Sequence, residues 1–343
     1  MNGRMVRSGQ GSSVQERRKF AAAAGAALLL WHRHLGAQGT VKMRRIGFLS
    51  GFARADADTF YSRFRVELDK LGWADGRNIV LLEPRVSEGR NEALPAAAAE
   101  LVAQGPDLSL VQTLPATRAL MQATKSIPIV MGGVGNPVDY GIVADYRRPG
   151  GNVTGASFMA HEYASKLLQL LKEAVPRLRS LALFVNPSND AAARMTPQLR
   201  AEAAALGMQM QVVELRTVDD FDGALAAIHN AKSQAILLPP EPLILSKREA
   251  IASFAMAQGL PLAVVGTRRV VPASGLIAFG PAADEYAQLA ARYADRILRG
   301  ARPGDLPIEQ TTRFSLVINL KAAKALGLSV PQTLLLRADE VIE

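Results

Sequence analysis

Residues 44–51 read Arg-Arg-Ile-Gly-Phe-Leu-Ser-Gly, and the apolar run 46–49 at their centre sets the pattern for the rest of the chain. Seven similar runs follow, each ahead of turn residues and a segment with helical periodicity. They lie at 79–82, 108–111 and 127–130 and, after a break, at 181–185, 212–215, 235–238 and 262–265. Near-continuous apolar runs are typical of strands buried on both faces, so the sequence predicts an α/β fold with parallel sheets covered by helices.

The segments between the runs have the spacing of amphipathic helices. Phe60, Phe64, Leu68 and Leu71 recur at i, i+4, i+8 and i+11, which forms one apolar stripe, and Gly72 follows as a stop signal. Further helices are predicted at 162–174, 282–299 and 319–326.

Turn residues at 149–152 separate the two groups of four runs, and three extended pieces cross between the groups. These pieces lie at 153–155, 275–281 and 314–318. A chain that leaves one lobe, returns and leaves again predicts two doubly wound lobes joined by hinge crossings, with a ligand held between them. The expected division is a first lobe of 43–154 with 281–311 and a second lobe of 155–280 with 312–343.

The beginning of the chain has the pattern of an export signal. Its apolar run, 20–31, is too short for the roughly 17–25 residues of a membrane-spanning helix, but it has a basic flank before it and small residues after it. Arg17 and Arg18 resemble a twin-arginine signal. We therefore expect residues 1–40 to be a signal peptide, in preference to a buried amphipathic helix, because the run has no polar face.

The chain contains no cysteine, which excludes disulfides, thiolate metal sites and a cysteine nucleophile. A lipoprotein needs a cysteine after the cleavage point, where Gln38 stands. The expected location is therefore the periplasm, as a soluble protein without a lipid anchor.

The formal charge of +9 gives an isoelectric point near 10.0, but much of the excess lies in the expected signal. Residues 1–37 contain six basic residues and one acid, which leaves +4 on the remainder. That remainder has no basic stripe interleaved with aromatic residues, so nucleic acid is not an expected partner. Since the apolar runs are accounted for as buried strands, a monomer is expected.

Several segments carry a resemblance to a known family. They are R-R-I-G-F-L-S-G at 44–51, L-D-K-L-G-W-A-D-G-R-N-I at 68–79, P-I-V-M-G-G-V-G-N-P-V at 128–138, R-R-P-G-G-N-V-T-G at 147–155, Y-A-D-R-I-L-R-G at 293–300 and V-I-N-L-K-A-A-K-A-L-G-L-S-V-P at 317–331. In this order they resemble the substrate-binding proteins of ABC transporters, a family with tryptophan-binding members and the type I periplasmic-binding fold. The resemblance implies capture of a small solute for a permease in the inner membrane. One departure is Asn136, where the family commonly has an aspartate before Pro-Val.

Enzymatic motifs are absent from the sequence. It has no G-x-S-x-G elbow and no phosphate loop, and the G-x-G within 132–135 lacks the third glycine of a dinucleotide loop. His229 falls in an alanine-rich helix, and no histidine pair after residue 40 has metal-binding spacing. We expect no enzymatic activity, cofactor or metal. The alternative is that His161 acts as a base at the cleft mouth instead of simply beginning a surface helix.

In an open α/β sheet, ligands bind beyond the carboxyl ends of the strands, where helix N-termini present N–H groups to anions. In the first lobe this rule selects Ser50, Thr113 and Asn136. Thr113 precedes a helix opening, so it is either an N-cap, a carboxylate ligand or both.

In the second lobe the same rule selects Asn186, Glu241 and Thr267. Glu241 is suited to a ligand ammonium group, although a solvated loop carboxylate is the alternative. Three aromatic residues at loop or crossing positions are further candidates for the pocket or, alternatively, for packing at the hinge. They are Phe52, Phe158 and Phe279, of which two are expected near the ligand.

The sequence thus predicts the extracytoplasmic solute-binding component of an ABC importer, with an amino acid or related carboxylate as ligand. An extracytoplasmic sensor and a cytoplasmic effector-binding domain remain alternatives. The first needs a membrane span and the second needs a helix-turn-helix segment ahead of it, and the sequence shows neither.

Overall fold

The computed structural model describes residues 43–266 and 274–343, and residues 44–343 form one compact unit. The expected signal peptide and Thr267 lie outside the described residues. The strands are β1 (Arg44–Ser50), β2 (Ile79–Leu81), β3 (Arg85–Val86), β4 (Leu108–Gln112), β5 (Ile129–Gly135), β6 (Val153–Phe158), β7 (Ser180–Val185), β8 (Gln209–Glu214), β9 (Ile236–Leu238), β10 (Leu262–Val265), β11 (Ile277–Pro281), β12 (Glu309–Gln310), β13 (Phe314–Asn319) and β14 (Glu340–Ile342).

The described α-helices lie between these strands and cover the sheets. They are α1 (Arg54–Lys70), α2 (Leu94–Ala103), α3 (Leu114–Ala123), α4 (Ala160–Ala174), α5 (Asp190–Ala205), α6 (Phe221–Asn230), α7 (Pro242–Ser246), α8 (Arg248–Ala257), α9 (Ala283–Leu298), α10 (Leu320–Ala325) and α11 (Gln332–Leu335). Short 3₁₀ turns occur at Asn91–Ala93, Val218–Asp220 and Pro303–Asp305.

The first lobe is a seven-stranded sheet with the order β12-β6-β5-β4-β1-β2, in which β3 also pairs with β1. Its described pairs are all parallel. Helices α1 and α9 cover one face, where Phe48, Phe64 and Tyr293 are buried, and helices α2 and α3 cover the other. This arrangement is the doubly wound lobe that the buried runs predict.

The second lobe is a seven-stranded sheet with the order β14-β13-β11-β10-β9-β7-β8. It is parallel except for β11 and β13, which pair antiparallel. Leu167 and Leu183 are buried on the face beneath α4 and α5, and Phe184 and Ile244 on the face beneath α6, α7 and α8. The predicted fold class is therefore confirmed: two α/β lobes with mostly parallel sheets.

Three short connections join the lobes. They pass at Met159 between β6 and α4, at Ala282 between β11 and α9, and at residues 311–313 between β12 and β13. The expected boundary between 154 and 155 falls inside β6, which pairs with β5 as far as Phe158. The first lobe therefore continues to the end of that strand, because its backbone hydrogen bonds belong to the first sheet.

In the two described segments, 43–266 and 274–343, no helix combines the length and the apolar character that a membrane crossing requires.

Candidate ligand-binding cleft

The carboxyl ends of both sheets face a cleft between the lobes, and the cleft contains two chambers. The smaller one, which we call the Glu241 chamber, has a volume of about 90 Å³. The larger one, the Arg63 chamber, has a volume of about 510 Å³. Phe52, Gly133, Phe158 and Pro240 line both, so the chambers adjoin at two phenyl rings.

Glu241 follows β9 and caps the N-terminus of α7. Its side chain is 5% exposed, and its oxygens accept hydrogen bonds from Asn186 Nδ2 at 3.0 Å and from Ile244 N at 2.9 Å. Burial raises the pKa of the Glu241 carboxyl above its ordinary value, although these hydrogen bonds act in the opposite direction. Since no cation pairs with it among the described residues, this carboxylate is suited to a cationic ligand group.

Asn186 and Asn189 hold the second-lobe wall of the Glu241 chamber. Asn186 directly follows β7, and its Oδ1 accepts a hydrogen bond from Ser188 N at 3.0 Å while its amide N–H group donates to Glu241. Asn189 is the N-cap of α5, with Oδ1 accepting from Ala191 N at 3.1 Å. The predicted pair of Asn186 and Glu241 is therefore one hydrogen-bonded unit that faces the chamber.

Thr113 lies on the first-lobe wall of the same chamber with an unusual backbone conformation. Its φ of 81° and ψ of 147° fall in a region that only glycine adopts freely. Its Oγ1 accepts from Ala116 N at 3.4 Å, so Thr113 is the N-cap of α3, and it is 7% exposed. The N-cap alternative is confirmed, and the hydroxyl lies where a ligand in this chamber would pass.

Ser50 and Asn136, the other predicted first-lobe contacts, line neither chamber. Ser50 is fully buried, donates through Oγ to Gln112 Oε1 at 3.4 Å and accepts from Phe52 N at 3.2 Å. Asn136 Oδ1 accepts from Ala160 N at 3.1 Å, at the start of α4. Both short polar side chains bond to their own surroundings, so they hold the wall and the hinge and do not reach the cleft.

Two of the three predicted aromatic residues line the cleft. Phe52 projects from the first lobe onto the apolar core of the second, and Phe158 ends β6 at a crossing. Phe279 instead packs against Tyr163 and Phe314, with ring centroids 6.0 and 6.1 Å away. Phe279 is therefore part of the packing at the crossings, while its proximity to a ligand has no support from either chamber.

The Arg63 chamber has apolar walls and a polar helix face. The walls include Phe60, Leu245, Val265 and Tyr286, and the polar face is Asp56, Thr59 and Arg63 on α1. Sequence reasoning missed this face because the apolar stripe of α1 marks it as a core helix. The sequence feature that could have indicated it is the i, i+4 spacing of Thr59 and Arg63, which places both on one helix face beside the apolar stripe.

The glycines at 132–135 lie beside this chamber and do not form a phosphate-binding loop. The register of β5 against β6 shifts between Gly132 and Val134, and Gly133 has a φ of 97°. A side chain at Gly132 or Gly133 would collide with the ring of Phe60 or Tyr286, respectively. The G-x-G pattern is therefore a bulge that lets two aromatic rings approach the sheet.

The two lobes contact each other across the cleft. Arg248 on α8 makes a two-pronged ion pair with Asp56, with nitrogen–oxygen distances of 2.7 and 3.2 Å, and both side chains are largely buried. A side chain at Gly89 would come within 2.8 Å of the Leu243 backbone. The structure thus has its lobes in contact at the edge of the Arg63 chamber.

Within the described chain, no group of three histidine, aspartate or glutamate side chains is arranged to hold a metal ion. His229 bonds through Nδ1 to Gln258 Oε1 at 2.9 Å on the exposed surface, away from both chambers. His161 is the second residue of α4.

Two α/β lobes that enclose a cleft with polar and aromatic walls define a ligand-binding protein of the periplasmic-binding type. The family model for the ABC transporter substrate binding protein matches residues 55–342. The chain belongs to this family, which is a class of binding proteins and not of enzymes.

Known proteins with similar sequences and structures agree with this assignment. The chain is 25% identical over 304 residues to the tyrosine-binding protein of Clostridioides difficile, covering 87% of this chain and 86% of the relative. A Streptococcus pneumoniae domain solved in complex with L-Trp is 25% identical with a TM-score of 0.80, covering 88% of this chain and 100% of that one. A conserved domain protein from Vibrio cholerae is 26% identical with a TM-score of 0.81 over the same shares.

Proposed function

We propose that this protein is the extracytoplasmic solute-binding component of an ABC importer and that its ligand is an amino acid with a large apolar side chain. The observation that carries the proposal is the buried Glu241 carboxylate, which is held by Asn186 at one end of a cleft lined by phenyl rings. The names of two relatives, which bind tyrosine and tryptophan, point to the same ligand class.

The charged head of the ligand is assigned to the Glu241 chamber. Glu241 would accept hydrogen bonds from the ammonium group, which also restores the ionised form that burial disfavours. The carboxylate would lie near Thr113 at the N-terminus of α3, where the helix dipole favours negative charge. The small volume of this chamber suits the main-chain atoms of one amino acid.

The side chain of the ligand is assigned to the larger Arg63 chamber. Phe52 and Phe158 line both chambers, so a ligand with its head at Glu241 would pass between these rings. Tyr286 lies with its ring 6.0 Å from that of Phe158 and extends the aromatic wall. Such rings favour an aromatic or large aliphatic side chain, because they supply apolar area and stacking.

Hinge closure accounts for how both lobes contribute to one site. The lobes are joined only by short crossings, and the residues that face the ligand come from both sides of the cleft. A ligand shifts the population toward the closed form only if it contacts both lobes in that form. Thr113 in the first lobe and Glu241 in the second satisfy this condition.

Export, a monomeric state and delivery to a permease complete the proposal. They are supported by the signal-like residues 1–40 and by the family assignment. The second candidate, an extracytoplasmic sensor, would use the same cleft and pass closure to a membrane partner.

A thermal-shift screen of residues 41–343 against amino acids, small acids and nucleosides tests the proposal. A ligand stabilises the folded state by RT ln(1 + [L]/Kd), so aromatic amino acids should give the largest shifts. If nucleosides or small acids shift the transition and amino acids do not, the ligand class is wrong. If no small solute shifts it, the solute-binding function itself fails.

A further inference from the structure

We infer that the Arg63 chamber favours, among amino acids whose side chain is largely apolar, those that also carry a negative charge at the far end of that side chain. The inference rests on the proposed function, since it concerns the side chain of the proposed amino acid ligand. It starts from Arg63 itself, which lines the larger chamber from α1.

Arg63 is a cation without an oppositely charged partner among the residues that the structure describes. It is half-buried, and it makes no ion pair with any residue in 43–266 or 274–343. The intervening residues 267–273 contain no acid in their sequence. Arg248, which lies beside the chamber lining residue Asp56, is paired with it through two nitrogens.

The charge balance of the two chambers follows from these pairings. In the Arg63 chamber, Asp56 is neutralised by Arg248, so Arg63 leaves an excess of one positive charge among the described lining residues. In the Glu241 chamber, the described lining residues carry one negative charge, on Glu241. A ligand that spans both chambers therefore meets a carboxylate at one end and a guanidinium at the other.

The surroundings of Arg63 increase the value of this charge for recognition. Phe52, Phe60 and Phe158 give the chamber apolar walls, so a ligand that fills it displaces water around the guanidinium, and an ion pair is stronger where water is displaced. A guanidinium also binds a carboxylate through two parallel hydrogen bonds. Thr59, one turn earlier on α1, already donates its hydroxyl proton to Ala55 O at 2.8 Å, so the donors for an anion on this face come from Arg63.

Calorimetric titration with L-phenylalanine and with 4-carboxy-L-phenylalanine tests the inference, because the two ligands differ only in the distal carboxylate. The proteins are the unmodified chain, Arg63→Gln and the control Arg65→Gln, whose arginine lies on the exposed face of the same helix. For the unmodified chain and the control, the carboxylated ligand should bind about tenfold more tightly. In Arg63→Gln this preference should vanish.

The outcomes separate the inference from the function on which it rests. If phenylalanine binds and the distal carboxylate gives no advantage, or an equal advantage in Arg63→Gln, the inference is wrong and the proposed function stands. If Arg63→Gln weakens the binding of both ligands equally, Arg63 does not contact the distal carboxylate and the inference is wrong. If neither amino acid binds, the proposed function fails and the inference fails with it.

Discussion

The Glu241 chamber and the Arg63 chamber share two phenyl rings but hold charge in opposite ways. Glu241 is buried, and its oxygens already accept hydrogen bonds from Asn186 and Ile244. Arg63 lies half-exposed, without an ion pair in the described chain. A buried charge must be held by partners before the ligand arrives, since its desolvation is otherwise too costly. A charge at an open chamber keeps its water until a ligand replaces it. In our proposal, therefore, the first chamber orients the ligand and the second discriminates between ligands.

Among substitutions outside Glu241, removal of Phe158, one of the two phenyl rings that the chambers share, should weaken ligand binding most. Phe158→Ala should weaken the binding of an aromatic amino acid by about 2 kcal/mol, because the ring supplies apolar area to both chambers. The control is Phe314→Ala, in the same aromatic group at the crossings but lining neither chamber. Calorimetry should find the control close to the parent. Equal losses in both variants would mean that the rings act only through hinge packing.

A wedge between the lobes should have the next largest effect. In Gly89→Ala the new methyl group would lie 2.8 Å from the Leu243 Cα atom of the second lobe, so closure should be hindered. We expect about tenfold weaker binding, since an obstructed closed state is less populated. Gly76→Ala is the matched control, with a φ of 77° against 85° at Gly89 and no neighbouring atom. If both variants bind equally well, lobe contact at Gly89 is irrelevant to binding.

The strain at Thr113 should separate affinity from stability. Thr113→Gly removes the hydroxyl but relieves the backbone, whereas Thr113→Ala removes the hydroxyl and keeps φ near 81°. Both should lose about 0.5–1.5 kcal/mol of ligand binding, the range for one hydrogen bond. Thermal unfolding should show the glycine variant to be the more stable of the two. Parent-like affinity in both would remove Thr113 from the site.

The smallest effect should be a proton released on binding. Burial raises the pKa of Glu241, so the unliganded chain keeps a proton there to higher pH than an exposed glutamate does. An ammonium group lowers that pKa again. Affinity should therefore rise as the pH increases through the raised pKa and then level off.

Titration calorimetry in two buffers of different ionisation heat should count less than one proton released per ligand on the acidic side. Glu241→Gln should release none. The same group sets a stability trend: because its folded-state pKa is the higher one, its contribution to unliganded stability is present below the unfolded pKa and is lost as the pH rises. Proton uptake on binding would contradict the assignment.

Most strands that the sequence predicts are buried on both faces, where packing requires uninterrupted apolar runs, whereas β8 is a partly buried edge strand. Strands β3, β12 and β14 escape prediction, because two or three residues carry no periodicity. They form where a neighbouring strand offers backbone partners. That tertiary context is not encoded in their own residues.

The rule of strand carboxyl ends selects Thr113, Asn186 and Glu241, which line the cleft: the first two directly follow a buried strand, and Glu241 follows β9 after two prolines. It fails at Ser50 and Asn136, whose side chains are short enough to bond to the adjacent backbone. A position after a strand fixes where a residue lies but does not fix where its side chain points. Arg63 escapes for a different reason: its position at the chamber follows from the tertiary packing of α1 and not from its place after a strand.

The most direct test of the central claim pairs Glu241 with the ammonium group of the ligand. L-phenylalanine and 3-phenylpropionate, which lacks the amine, are titrated against the parent chain and Glu241→Gln. The binding free energy of phenylalanine should fall by about 1.5–3 kcal/mol in the variant, the range for a hydrogen bond to a charged group. 3-Phenylpropionate should bind the variant no worse than it binds the parent chain. Equal losses for the two ligands, or none for phenylalanine, would contradict the placement of the ammonium group at Glu241.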